Sequence, residues 1–334
     1  MDDITRFKQR LIDKNNPSEV IDEAISLLTE FKTFLEKKKK NFAGTSADDF
    51  YEFSSLLIKE NNNTPLAYEV FIVFGEFTGN KSLVKWGREV FDGHEVMNNL
   101  SKRLTEEFGE ETRNEIFAET EVPPLGIGPE EKPAYTKTLI TRLADKFDAE
   151  TCERFLIKGL RDPYTEWRKP DREKYLQSEN LDEFMKKKRE TFIKALEKHR
   201  DENTLFFTQE INDQVVDYVR NNPDLVEGGV RKGNVIYETK IPHETIKFLN
   251  ETDPRMKAYY YCHCPWVKEA IKDGTVTEIP RVFCNCSGGY YKTYWEIVLE
   301  QPVEAKVLNT VLQGDPYCRF ALTLPKEVVK DLDE

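Results

Sequence analysis

No apolar run in the 334 residues approaches the roughly 18 needed to span a bilayer, so no membrane-spanning helix is expected. The N-terminus, MDDITRFKQRL, is acidic and amphipathic where a secretory leader would be basic and then apolar, and the chain reads as cytoplasmic. Histidine is scarce, at four residues, and no Ser-His-Asp order, HExxH or dinucleotide fingerprint occurs. Gly126-Ile127-Gly128 lacks the preceding strand and the further glycine or lysine of a phosphate loop, so it reads as a turn. No internal repeat of fixed period is found. Positive charge is in deficit as well: 49 Lys and Arg against 61 Asp and Glu leave a net charge of −12. Such a balance repels phosphate backbones, so nucleic acid is not an expected partner. The basic runs Lys37 to Lys40 and Lys186 to Arg189 read as solvated helix faces.

What is present is a soluble composition, 39% hydrophobic and 33% charged, in a chain long enough for two domains or one large one. Residues 1–120 read as a helical domain. Ile4, Phe7, Leu11 and Ile12 recur at helical spacing, as do Val20, Ile21, Ala24, Leu27, Leu28, Phe31 and Leu35. Ser46 with Asp49 three residues on predicts a capped helix start, and the all-round apolar stretch Ala67 to Phe77 predicts a buried helix. Residues 121–133, with four prolines and two glycines, form the clearest linker by composition. Residues 134–221 are a helical segment, including a long helix opened by Asn180 and Glu183.

From residue 222 to 334 the character becomes α+β. VIYETKIP alternates as a strand does, and MKAYYYCHC and Val276 to Phe283 lean towards β. His243 to Asn250 and Trp266 to Lys272 predict short helices, and Tyr291 to Glu300 an amphipathic one after Ser287-Gly288-Gly289. Val303 to Leu312 and Tyr317 to Leu324 predict an antiparallel hairpin around Gly314-Asp315-Pro316. The expected fold class is therefore α+β: a helical N-terminal region, then helices packed on an antiparallel sheet.

Five of the six cysteines fall in this last part, as Cys262-His263-Cys264, Cys284-Asn285-Cys286 after nineteen residues, and Cys318. In a strand, residues two apart share a face, so each pair could present two sulfurs together and two pairs could surround one soft ion. Zinc is the first expectation, held by Cys262, Cys264, Cys284 and Cys286 with Cys318 as a fifth neighbour; iron or an iron–sulfur cluster is the second. Thiol chemistry without metal and simple burial stay open beside it. His263 would face away from the sulfurs, while His94, His199 and His243 read as surface or capping groups. Tyr261, Trp266, Tyr290 and Trp295 are the aromatic candidates for a ligand pocket, Glu296 is a candidate base, and Cys152 reads as core.

With Cys264-Pro265-Trp266, the second cysteine pair and Gly314, Asp315, Cys318 and Phe320 in view, the C-terminal hundred residues resemble the vinyl-reductase-type small-molecule-binding domain. They are also similar to the related family named for amino-thiazoline carboxylate hydrolases. Both share a late cysteine in a Gly-Asp-x-x-Cys-x-Phe hairpin and earlier cysteines before a helix. The resemblance implies helices against an antiparallel sheet, with a pocket for a small apolar or metal-bearing ligand between them. Doubling each early cysteine into C-x-C departs from that pattern and raises the expectation of a metal.

The leading functional expectation is a small-molecule- or metal-binding module used for sensing or delivery. The enzyme alternative is a hydrolase cleaving a small nitrogen- or sulfur-containing substrate by metal-bound water or by Cys318. An assembly protein using the N-terminal helices is the third class, and a homodimer is left open.

Overall fold

Four helices in the first hundred residues begin where a short polar side chain takes up a free backbone N–H. Asp2, Ser46, Thr64 and Asn80 each accept from the residue three positions on. The first N–H groups of a helix have no partner within it, and such caps supply one. At Ser46 the box is reciprocal, since Asp49 accepts from the Ser46 backbone in return. In a computed structural model that describes residues 2–225, 228–326 and 328, these four are Asp3–Asp13, Ala47–Lys59, Pro65–Thr78 and Lys81–Phe91, and Ser18–Lys37 joins them without a side-chain cap. Their apolar faces meet in one aromatic core. Phe31 lies 4.9 Å from Phe53 and 5.1 Å from Phe71 between ring centroids, and Phe42 lies 4.9 Å from Phe74.

The chain divides into two compact units. The first is Met1–His94 with Pro123–Glu131 and Phe207–Gln209; the second is Glu95–Val122, Lys132–Phe206 and Glu210–Glu334. The division falls at His94, ahead of the expected boundary at 120, and most of the proline-rich stretch packs within the first unit. There Ser54 donates to the Gly126 carbonyl at 2.6 Å, and Asn63 to that of Leu125 at 2.9 Å. A segment whose carbonyls are held in this way is a packed loop.

The second unit has the expected α+β organisation. A four-stranded antiparallel sheet runs in the order Val230–Lys232, Val235–Thr239, Arg319–Thr323, Glu304–Asn309. Glu238 and Val307 flank Phe320 in register. Ile236, Phe320 and Leu322 pack in one cluster with Tyr291, Trp295 and Val298 of the helix Asn285–Leu299 and with Leu181, Phe184 and Met185 of the helix Leu181–Asp201. Asn180 caps the latter helix by accepting from Glu183.

Local expectations fail in this unit at three places. Pro254–Tyr261 is a helix, because Asp253 caps it through the Met256 N–H and Pro254 sits where a missing N–H does no harm. Three adjacent tyrosines favour β locally, but the cap and the tertiary setting win. Val276 to Phe283 makes two short 3-10 turns, Val276–Glu278 and Arg281–Cys284, instead of a strand. Gly288 and Gly289 lie inside the helix Asn285–Leu299 and do not precede it. Within the expected helical segment 134–221, the helix Thr165–Leu176 carries Pro170 in its interior. No described helix is long and apolar enough to cross a membrane.

Candidate functional site

None of the early cysteines sits on a strand. Cys262 follows the last residue of the helix Pro254–Tyr261, and its N–H closes that helix on Ala258. Cys264 opens the next turn, its carbonyl accepting from Val267 and Lys268. Cys284 is the N-cap of the helix Asn285–Leu299, and Cys286 is that helix's second residue. The alternation that would aim two sulfurs of one pair the same way is therefore absent. The helix ends gather the thiols instead.

Burial pushes all five thiols above the ordinary cysteine range, and they also act on one another. After burial, the Cys284 thiol is raised by Cys318, Cys262 and Cys264, and the Thr310 side chain acts in the opposite direction. Burial and then Cys264 and Cys318 raise Cys262; burial and then Cys286 push Cys264 up to about 11. Three cations oppose this. Arg161 and Lys240 act on Cys264 and Cys286, Lys240 on Cys318, and Lys268 on Cys262. All five cysteines are free thiols.

Cys264, Cys284 and Cys286 line one small cleft with Arg161, Trp266 and Phe283. Its volume is about 20 Å³, room for one water-sized group. Two glycines bring Arg161 there. A Cβ on Gly289 would lie 2.4 Å from the backbone of Gly159, so only glycine lets the loop after Ala149–Leu156 lie directly on the helix. Two residues past Gly159 the chain reaches Arg161, and the Leu160 backbone hydrogen-bonds Cys286. The hairpin covers another side. Gly314 has φ +89°, Asp315 accepts from the Thr310 N–H at 2.9 Å, and this turn sets Thr310 against Cys284 and Val311 against Cys318.

The aromatic candidates separate. Trp266 is buried on the cleft wall, its carbonyl accepting from Thr136 at 2.7 Å. Tyr261 is buried with its hydroxyl donating to the Lys240 carbonyl at 3.0 Å. Trp295 is fully buried and donates to Glu238 at 2.9 Å. Tyr290 is half-buried under the Arg168 guanidinium, 4.7 Å from its ring centroid. Glu296 is paired with Lys292 and accepts from the Val303 N–H, so it holds a local turn. Cys152 is buried and donates weakly to the Leu143 carbonyl.

His243 is not a surface group. It is buried, accepts from Lys268 Nζ at 2.9 Å through Nδ1, and lies edge-on to His263 at 5.2 Å. His263 donates from Nε2 to the Ile241 carbonyl at 2.5 Å. Around them Lys268 reaches Glu244 at 3.3 Å, and Tyr259 donates to Glu269 at 2.9 Å. Lysine and glutamate are seldom buried unless paired, and here each has a partner. Sequence reasoning missed Arg161, Glu238 and Lys268. Only Glu238 carried a signal, because period two puts it on the core face with Ile236.

Among the described residues no three His, Cys, Asp or Glu side chains are arranged to hold one metal ion. No protein-family model matches the chain, no curated protein matches it, and no solved structure matches it.

Proposed function

We infer that the second unit is a binding module for a small thiophilic ligand taken up at the cysteine cluster. The supporting observation is that Cys264, Cys284 and Cys286, from two separate chain segments, line one water-sized cleft with Arg161 on its wall, and that Cys262 and Cys318 lie close enough to act on neighbouring thiols. Sulfur is a soft donor, and a ligand of atomic dimension matches that space. Zinc, iron or an iron–sulfur cluster finds no ready set of three ligands, so the thiols would have to draw in around it. An organic ligand, as the vinyl-reductase-type resemblance implies, needs the cleft to open. The cysteine route of the hydrolase alternative needs a lowered thiol pKa, and burial raises all five; the metal-bound-water route needs the thiols to draw in around an ion first.

The test combines elemental analysis and native mass spectrometry of protein purified without affinity-tag metal, followed by iodoacetamide mapping across pH. A stoichiometric adduct that Cys284→Ser removes is the expected result, together with slow labelling of Cys318 at neutral pH. Adduct-free protein in which Cys318 labels fast below about pH 7, where an ordinary thiol is mostly protonated, would move the nucleophile reading into first place.

A further inference from the structure

The first unit holds a cavity of its own, about 290 Å³, between the helix Ser18–Lys37 and the chain from Leu57 to Val70. That is close to the small end of ligand pockets. Its floor is Leu27, Leu57, Ala67 and Val70, core side chains that each keep a sliver of exposure. Along one wall lie Glu23, Ser26 and Glu30, which fall on one face of their helix at three- and four-residue spacing. Seven residues at 1.5 Å rise place the two glutamates about 10 Å apart along the helix axis. Apolar surface thus separates two carboxylates.

Two other acids on the same helix have a lysine beside them, while Glu19, outside the cavity, has no ion pair among the described residues. Asp22 has Lys8 at 3.9 Å and Glu36 has Lys32 at 4.0 Å. Glu30 accepts from Ser26 at 2.9 Å, and neither Glu23 nor Glu30 has an ion pair among the described residues. No lysine, arginine or histidine lines the cavity. An uncharged apolar ligand would leave both carboxylates unmatched, and a single ammonium would match one.

We propose that this cavity binds a linear aliphatic diamine as its dication, with the methylene chain on the apolar floor and one ammonium at each glutamate. The ligand class follows from two negative ends and an apolar middle on one short wall. It is independent of the cysteine cluster.

The experiment is calorimetric titration of the full chain with hexamethylenediamine, n-hexylamine and hexanediol, which differ in charge and share one carbon chain. Affinity should fall in that order, by about three- to fivefold per ammonium lost, the range of solvent-exposed ion pairs. Added salt should weaken the diamine and leave the diol unchanged. Glu23→Gln and Glu30→Gln should each bring the diamine to the level of hexylamine with an unchanged melting temperature. Glu19→Gln and Glu60→Gln, exposed glutamates outside the cavity, should bind as the parent does. Three probes that bind alike, no binding by any of them, or an equal loss in the Glu19 and Glu60 variants would each overturn the assignment.

Discussion

The two units stabilise themselves by different means. The first buries rings and aliphatic chains almost exclusively, and among its described residues the only buried carboxylate is Asp49, held by Lys38, Lys40 and Ser46. The second buries Glu95, Lys132, Arg168, Glu238, His243, Lys268 and Glu269 along with Cys152, Cys262 and Cys286. A polar group taken from water destabilises unless its partners are close to ideal, and replacing such groups by apolar ones is often neutral or better. A purely structural domain therefore has little use for so many.

The largest effect should come from the apolar unit. Phe31 is fully buried and touches Phe34, Phe42, Phe53 and Phe71. Phe31→Ala should destabilise by about 3–5 kcal/mol in denaturant unfolding; a change under about 1 kcal/mol would mean the aromatic core repacks freely. Next is Gly289→Ala, whose Cβ meets backbone atoms of Gly159 that cannot rotate away. About 1–3 kcal/mol is expected, with faster labelling of Cys286 as the loop carrying Leu160 lifts. Unchanged labelling would separate the glycine contact from the thiol site.

Trp295→Phe keeps the ring but removes the donor to Glu238, a carboxylate with no exposed surface. Loss of one partner of a buried group should lower stability by about 1–3 kcal/mol, and full stability would show that water or another donor replaces the indole. The smallest effect is at Asp49. Burial alone would raise its pKa, but Lys40, Ser46 and Lys38 hold the carboxyl well below the usual range. Its contribution is thus fully present above the ordinary aspartate value and is lost as pH falls through the folded one. Asp49→Asn should be about 1 kcal/mol less stable at neutral pH, as for a lost cap, and the gap should close in strong acid. A gap independent of pH would break the assignment of charge to this cap.

Much of the helical framework was legible in the residues. Ser46 with Asp49 and Asn180 with Glu183 marked helix starts that the structure reproduces, and VIYET and CRFALTL marked paired strands. These signals are local: a cap or a two-residue alternation acts over less than two turns of chain. Of the cysteines singled out in the sequence, Cys264, Cys284 and Cys286 line one cleft, and the local form expected for them was misread. Cys262 and Cys286 lie at helix ends, so the strand alternation invoked for them does not operate. His243 gave no sign of burial, since its partner Lys268 is twenty-five residues away.

By itself the sequence determined the α+β order, most helix starts and which faces are apolar, because periodicity and capping are properties of neighbouring residues. Tertiary structure alone decided that Arg161 lines a cleft of thiols, that Glu238 meets Trp295 and that Lys268 meets His243. Those meetings depend on where distant backbones cross. The crossing of Gly159 over Gly289 is set by the absence of two side chains, which leaves no periodic trace in the chain.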